Sequence, residues 1–168
     1  MVIIVMGVSG VGKTTVGQRL AGALGWRFRD ADELHPPENI AKMSAGLALG
    51  DEDRWPWLER LRELIRGALE SGEELVLACS ALKRTYRERL TVEPARQRWV
   101  HLEAPPELIA RRLAERRGHY MPATLLESQL AALEAPEEAL RVDVSAGPDV
   151  VVATILQGLG LSEAAGDR

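Results

Sequence analysis

Apolar and polar positions fall in blocks whose period switches between that of strands and that of helices. Residues 2–6 (VIIVM) form a continuous apolar run ending at a glycine, the pattern of a strand buried on both faces of a parallel sheet. From 12 to 24, Val16, Leu20, Ala23 and Leu24 share one helical stripe, and Gly25 is a stop signal. A short strand is predicted at 26–29. The stretch 30–50 mixes acids, His35 and Pro36-Pro37 ahead of a short helix at 38–45. Pro56 suits a first helical turn, and Leu58, Leu61, Leu64, Ile65, Ala68 and Leu69 continue a stripe until Ser71-Gly72. Further along, the pattern predicts a strand at 75–78, a basic helix at 80–90 and a strand at 98–102. A helix from 105 to 117, broken by Gly118, and another at 122–133 come next. A strand at 142–144 and a helix at 149–159 close the series, with residues after Leu161 expected to fray. Strands alternating with helices at this spacing predict one α/β domain over 1–168, with three layers around a parallel sheet of about five strands.

Composition narrows the function classes. The chain has 168 residues, 46% of them hydrophobic and 27% charged, with a formal net charge of −4. Those values fit a globular protein and argue against disorder or a dedicated nucleic-acid binder. The longest apolar run is far too short to span a membrane, so no membrane partner is expected. A strand-like run begins at residue 2 without a basic region before it, unlike a signal peptide, and the single cysteine, Cys79, has no internal disulfide partner. A cytoplasmic protein is the expectation. Only Lys13, Lys42 and Lys83 are lysines among 21 basic residues, the rest being arginine, which draws attention to those three.

Residues 7–14, Gly7-Val8-Ser9-Gly10-Val11-Gly12-Lys13-Thr14, fit G-x-x-x-x-G-K-[ST] between a predicted strand and a predicted helix. Glycines let the backbone curl so that several N–H groups converge on an anion, and the helix N-terminus adds partial positive charge. Lys13 would reach the outer phosphates of a nucleotide, and the Thr14 hydroxyl would ligate Mg²⁺. No Asn-Lys-x-Asp guanine motif occurs and the chain is short for a motor module, which leaves a small kinase.

Asp30, Asp32 and His35 follow the second predicted strand. If strand geometry persists, the two acids point the same way at a carboxyl edge, where open α/β sheets bind ligands. One could then hold a magnesium-bound water while the other accepts the proton of an attacking hydroxyl. An aspartate before a helix is equally a common N-cap, and spacing alone leaves both readings standing. Arg54, in the acidic run Asp51-Glu52-Asp53-Arg54, reads on spacing as a surface ion pair. Lys83, Arg84, Arg87 and Arg89 make the 80–90 helix basic. Lys83 in its first turn opposes the helix dipole, which suggests an anionic partner. Arg112 and Arg116 lie four apart on one helical face, either as a basic helix end or as ligands for polyphosphate.

Four blocks together resemble gluconate kinase (gluconokinase), a small P-loop kinase related to shikimate kinase. They are MGVSGVGKTTVG, DADELHPPENIAKMSAGLALGDEDRWPWL, ACSALKRTYRERL and RRLAERRGHYMPATLLESQLAALEAPE, and they span nearly the whole chain. The resemblance implies a three-layer P-loop kinase fold and ATP-dependent phosphorylation of D-gluconate on its 6-hydroxyl, with Mg²⁺. It implies that residues 7–13 with Thr14 and Thr15 bind the nucleotide and that Asp30 orders water on the metal held by Thr14. Asp32 would be the acceptor-hydroxyl base, acting with Lys13 and Arg116. His35, Arg54, Lys83 and Arg87 would line the acceptor site, with Arg54 facing the sugar acid's carboxylate. Arg112 would stack near adenine and Arg116 approach the phosphates from a small lid at 117–123, with Gly118 near its hinge. Gln129 and Glu134 lie in the family block without an assigned role. Thr14 stands where serine is frequent and Arg117 where lysine also occurs, and both keep the needed chemistry. The group often forms dimers, so a homodimer stays open, although no apolar face in the sequence identifies an interface. The competing readings are a kinase for another small acid such as shikimate, and a nucleotide-binding regulator without turnover.

Overall fold

A computed structural model describes residues 1–116 and 123–165. Five parallel strands form one sheet in the order β2-β3-β1-β4-β5. They are β1 (Val2–Met6), β2 (Arg27–Asp30), β3 (Leu75–Ala78), β4 (Gln97–Glu103) and β5 (Leu140–Asp143). Alternation along β1 explains its unbroken apolarity. Ile3 and Val5 pack on one side with Val16 and Leu20 of α1 (Lys13–Leu24) and Ile155 of α7 (Pro148–Leu159). Val2, Ile4 and Met6 pack on the other with Trp57, Leu58 and Leu61 of α3 (Asp51–Ser71) and with Tyr86 and Leu90 of α4 (Arg84–Leu90). Each face of the sheet is therefore covered by helices, the requirement of a parallel sheet. The remaining helices are α2 (Pro37–Ser44), α5 (Pro106–Glu115) and α6 (Ala123–Ala132). No described helix is long and apolar enough to cross a membrane.

The predicted elements all occur, and four differences carry physical content. First, α3 begins at Asp51, so Pro56 is its sixth residue rather than part of its first turn. The Asp53 carboxylate accepts the Gly50 N–H at 2.9 Å, and three acids in the first turn favour a start there. Pro56 is exposed, so the helical carbonyl its missing N–H leaves free can meet solvent. Second, residues 80–83 are not helical: Ala81 is fully buried at φ 45°, and Lys83 is the N-cap of α4. Third, β2 ends at Asp30 and Ala31–Leu34 form a 3₁₀ turn, so strand alternation does not orient Asp32. Fourth, the tail is tied back rather than frayed at Ala164, whose N–H donates to the Ala23 carbonyl at 2.8 Å. The expected lid at about 117–123, including Arg117 and Gly118, lies outside the described residues except for Ala123, where α6 opens.

Candidate active site

Every element that carries a candidate residue reaches the carboxyl edge of the sheet, where β1 lies between β3 and β4 and successive connections diverge. The 7–12 loop leaves β1 and turns into α1 through Gly12, the N-cap, at φ 99°. A Cβ on Gly12 would meet nothing within 4 Å, so the backbone conformation demands glycine there and the space before it stays open for an anion. Gly7 is different: a Cβ would sit 2.8 Å from the Leu102 carbonyl, so this glycine lets the loop pass close to β4. Lys13 Nζ donates to the Val8 carbonyl at 3.0 Å, folding the ammonium over the loop it serves. Burial lowers the Lys13 pKa, and the charges of Asp32 and Asp30 oppose that shift.

Asp30 does two jobs with two oxygens. Oδ2 accepts the Thr14 hydroxyl at 2.7 Å, while Oδ1 accepts the Asp32 N–H at 3.0 Å and caps the 3₁₀ turn. The N-cap reading of this residue therefore holds, and it leaves the same carboxylate beside the phosphate loop. A threonine hydroxyl beside a carboxylate is a hard oxygen pair of the kind Mg²⁺ takes when water and phosphate supply its other ligands. Among the described residues no group of three His, Cys, Asp or Glu side chains forms a metal cage.

The turn leaves the Asp32 side chain 83% exposed. Desolvation by the surrounding protein, and then the charge of Asp30, raise its pKa, and Lys13 works against both. Asp32 is thus an accessible carboxylate with more basicity than usual. Beside it, His35 is almost wholly buried. Its ring stacks on Trp57 with centroids 4.3 Å apart and planes 12° apart, and its Nε2 lies 3.9 Å from Asp32 Oδ1. Burial, reinforced by Arg54, pushes the His35 pKa down to about 4, so the ring is neutral.

Across the cleft, Arg54 donates to the Tyr86 hydroxyl at 3.1 Å, and Tyr86 in turn donates to Asp51 Oδ1. Lys83 Nζ donates to the same Asp51 oxygen at 2.9 Å. The anionic partner that Lys83 called for is therefore Asp51, at the N-terminus of α3. Hydrogen bonds from Tyr86 and Lys83 hold Asp51 below the usual carboxylate range, and the bond to Asp51 raises the Lys83 pKa. Arg87 differs from the expectation of a substrate ligand. Its guanidinium donates to the carbonyls of Ala81 (2.9 Å), Leu82 (3.0 Å) and Glu134 (2.7 Å), so it acts as a strut under the 80–83 loop, in which Ala81 is left-handed.

A cleft of about 330 Å³ opens beside the glycine-rich loop, lined by Gly12, Thr15, Arg112, Arg116, Gly147 and Val151 among others. Arg112 is braced by donating to the Val144 carbonyl at 2.9 Å. The 144–151 wall was missed by motif reading, although Gly147-Pro148 after the last strand marks a loop at the ligand-binding edge. Gln129 is a second such residue. Its Oε1 accepts the Ser9 N–H at 2.7 Å and its Nε2 donates to Ser9 Oγ at 3.2 Å, which pins α6 to the phosphate loop. Glu134 contributes backbone only: its N–H donates to the Leu82 carbonyl at 2.8 Å and its own carbonyl receives Arg87. The structure thus brings Lys13, Thr14, Asp30, Asp32 and Arg116 into one electrostatic neighbourhood, with His35 and Arg54 adjoining it.

A family model described as an AAA domain matches residues 2–136. The chain is 48% identical over 158 residues to a gluconokinase of Gluconobacter oxydans (strain 621H), covering 92% of this chain and 89% of that protein. It is 44% identical over 171 residues to a gluconokinase of Arabidopsis thaliana, covering 93% and 90%. Among solved structures, a gluconokinase from Sinorhizobium meliloti 1021 superimposes with a TM-score of 0.86 at 45% identity, covering 94% of this chain and 90% of that one. A shikimate kinase from Aquifex aeolicus vf5 matches at a TM-score of 0.62 and 23% identity, covering 95% and 96%, a likeness of fold.

Proposed function

The chain belongs to the gluconokinase family, and from that premise we propose that it transfers the γ-phosphoryl group of ATP to the 6-hydroxyl of D-gluconate, releasing 6-phospho-D-gluconate and ADP. One observation carries the reading at the level of residues. A phosphate loop with its lysine, a Thr14–Asp30 oxygen pair and an exposed Asp32 lie together at the carboxyl edge of the sheet, with the Arg54 guanidinium near by as a partner suited to a carboxylate.

Gluconate is a short polyol with one carboxylate, so its site needs hydroxyl partners near one end and a cation near the other. Arg54 offers the cation, with Lys83 beside it already paired to Asp51, and Asp32 with His35 offers the hydroxyl partners. Asp32 takes the 6-hydroxyl proton as that oxygen forms its bond to the γ-phosphorus, and the bond from the γ-phosphorus to the β,γ-bridging oxygen breaks to release ADP. Lys13 and Arg116 neutralise the charge that spreads over the transferring group. Thr14 and Asp30 would hold Mg²⁺, which when bound screens the phosphate oxygens. Arg112 and the 144–151 wall would hold the base and ribose.

A panel of gluconate, other sugar acids and shikimate in an ADP-release assay tests the substrate, with phosphorus NMR of the product to locate the new ester. The expected result is the highest kcat/KM on gluconate and a 6-phosphate. Higher kcat/KM on shikimate, or ATP binding without any phosphorylated product, refutes the proposal.

A further inference from the structure

Asn39 is 3% exposed on α2, and nothing in the phosphate-loop motif or the acceptor pocket gives it a role. Its side-chain nitrogen makes two hydrogen bonds: Nδ2 lies 2.8 Å from the Asp53 carbonyl oxygen and 3.2 Å from His35 Nδ1. A backbone carbonyl can only accept, so the atom facing it must be the amide nitrogen, and the orientation of the carboxamide is fixed. The same nitrogen then spends its second hydrogen on His35 Nδ1, which must be an unprotonated acceptor. The only ring proton is left on Nε2, the nitrogen nearest Asp32, at 3.9 Å. Trp57 holds the ring from its face, and is itself anchored where its Nε1 donates to the Ala31 carbonyl at 2.7 Å.

The geometry points to Asn39 as a positioning residue that sets the tautomer of His35, so that the acceptor site presents an N–H donor beside the Asp32 acceptor. The 3.9 Å gap is too long for a direct hydrogen bond. An oxygen about 2.8 Å from each atom closes it with the two partners about a right angle apart, which one hydroxyl group can satisfy. That hydroxyl accepts from His35 Nε2–H through a lone pair and points its own proton at Asp32. His35 thereby orients the attacking oxygen while Asp32 receives the proton, and Asn39 acts only through His35. The carbonyl that fixes Asn39 belongs to Asp53, whose carboxylate caps α3 at Gly50 and pairs with Lys42 Nζ at 2.8 Å. The donor polarity of the acceptor site is thus tied to the start of α3.

The role in orienting the attacking hydroxyl rests on the kinase reading above, whereas the tautomer does not. The test is nitrogen–proton correlation NMR on the full chain labelled with ¹⁵N-histidine at pH 7, with His35 assigned by its loss in His35→Gln. Wild type should show His35 neutral with the proton on Nε2. A proton on Nδ1, or a cationic ring, in the wild type overturns the proposal. Asn39→Asp, which replaces the donor by an acceptor, should move the ring proton to Nδ1. It should also lower kcat at least about tenfold while the KM for ATP stays within about twofold. An unchanged tautomer in a folded Asn39→Asp protein overturns it too. His35→Gln, whose amide N–H can stand in for Nε2–H, should keep more kcat than His35→Leu, and equal losses would remove the donor role. A correct tautomer without turnover of gluconate would instead count against the substrate assignment alone.

Discussion

His35 should make this protein lose stability as the pH falls through the weakly acidic range, and its surroundings set the size of the loss. The ring is buried, stacked on Trp57 and held neutral, with a pKa depressed from 6.5 to about 4. Unfolding returns it to water, where it binds a proton near pH 6.5. Above that pH the ring is neutral in both states, so its contribution to stability is complete. Between pH 6.5 and 4 the unfolded chain takes up a proton that the folded chain refuses, and stability falls with pH. Such a shift corresponds to about 3 kcal/mol in the limit, and to roughly 2–3 kcal/mol between pH 7 and pH 4.5. His101 is also buried, and burial depresses its pKa as well, so it acts in the same direction. Asp32, whose pKa is raised, acts in the opposite one. The comparison that isolates His35 is therefore wild type against His35→Gln, which keeps both. Urea unfolding at pH 7 and at pH 4.5 measures each loss. The variant should lose about 2–3 kcal/mol less than wild type over that interval. Equal losses in the two proteins would mean that the folded protein protonates His35 with ordinary ease, and the account of a neutral, buried ring would be wrong.

Asp32→Asn removes the proton acceptor and keeps the shape, so kcat should fall by about 10²–10⁴ with little change in ATP affinity by calorimetry. Gln129→Leu releases the Ser9 amide, and the KM for ATP should rise by roughly 2–10-fold, one hydrogen bond's worth, while the KM for gluconate holds. Arg54→Ala should raise the KM for gluconate, whereas Arg87→Ala should chiefly lower the thermal midpoint, because Arg87 bonds three backbone carbonyls; the two KM values and melting curves separate these roles.

The nucleotide half of the cleft was legible because its chemistry is local. Strand, glycine-rich loop, lysine and helix follow one another within 2–24, and each step has a direct sequence signal, from the apolar run through Gly12 to the stop at Gly25. The acceptor half was legible as a family block but not as geometry. Arg87 looked like one more surface or substrate cation, and only the fold shows its guanidinium under the 80–83 loop, donating to the carbonyls of Leu82 and of Ala81, a buried non-glycine residue at φ 45°. Pro56 misplaced the start of α3 because the capping by Asp53 outweighed it. The partnership of Asp51 with Lys83 and Tyr86 spans more than thirty residues, beyond any helical or strand period. Gln129, 120 residues from Ser9, is further still.

The two halves meet in a single short turn, and its geometry explains why two acids so close in sequence have different surroundings. Alternation along a strand would have aimed Asp30 and Asp32 alike, leaving nothing to divide their work. Ending β2 at Asp30 breaks that equivalence. Asp30 is held from both sides, by the Thr14 hydroxyl of the phosphate loop and by the N–H of Asp32, so its position is fixed while each oxygen keeps a second lone pair free. Asp32, on the 3₁₀ turn that Asp30 caps, keeps an open carboxylate whose basicity is raised by the cleft and by the neighbouring charge. The capping bond thus ties the acid beside the nucleotide loop to the acid that faces the acceptor. Any change that lengthened the turn or removed the Asp30 cap would separate the two substrates' sites even if every other side chain stayed in place. In the proposed reaction the turn therefore belongs to the machinery for transfer, alongside the residues that it carries.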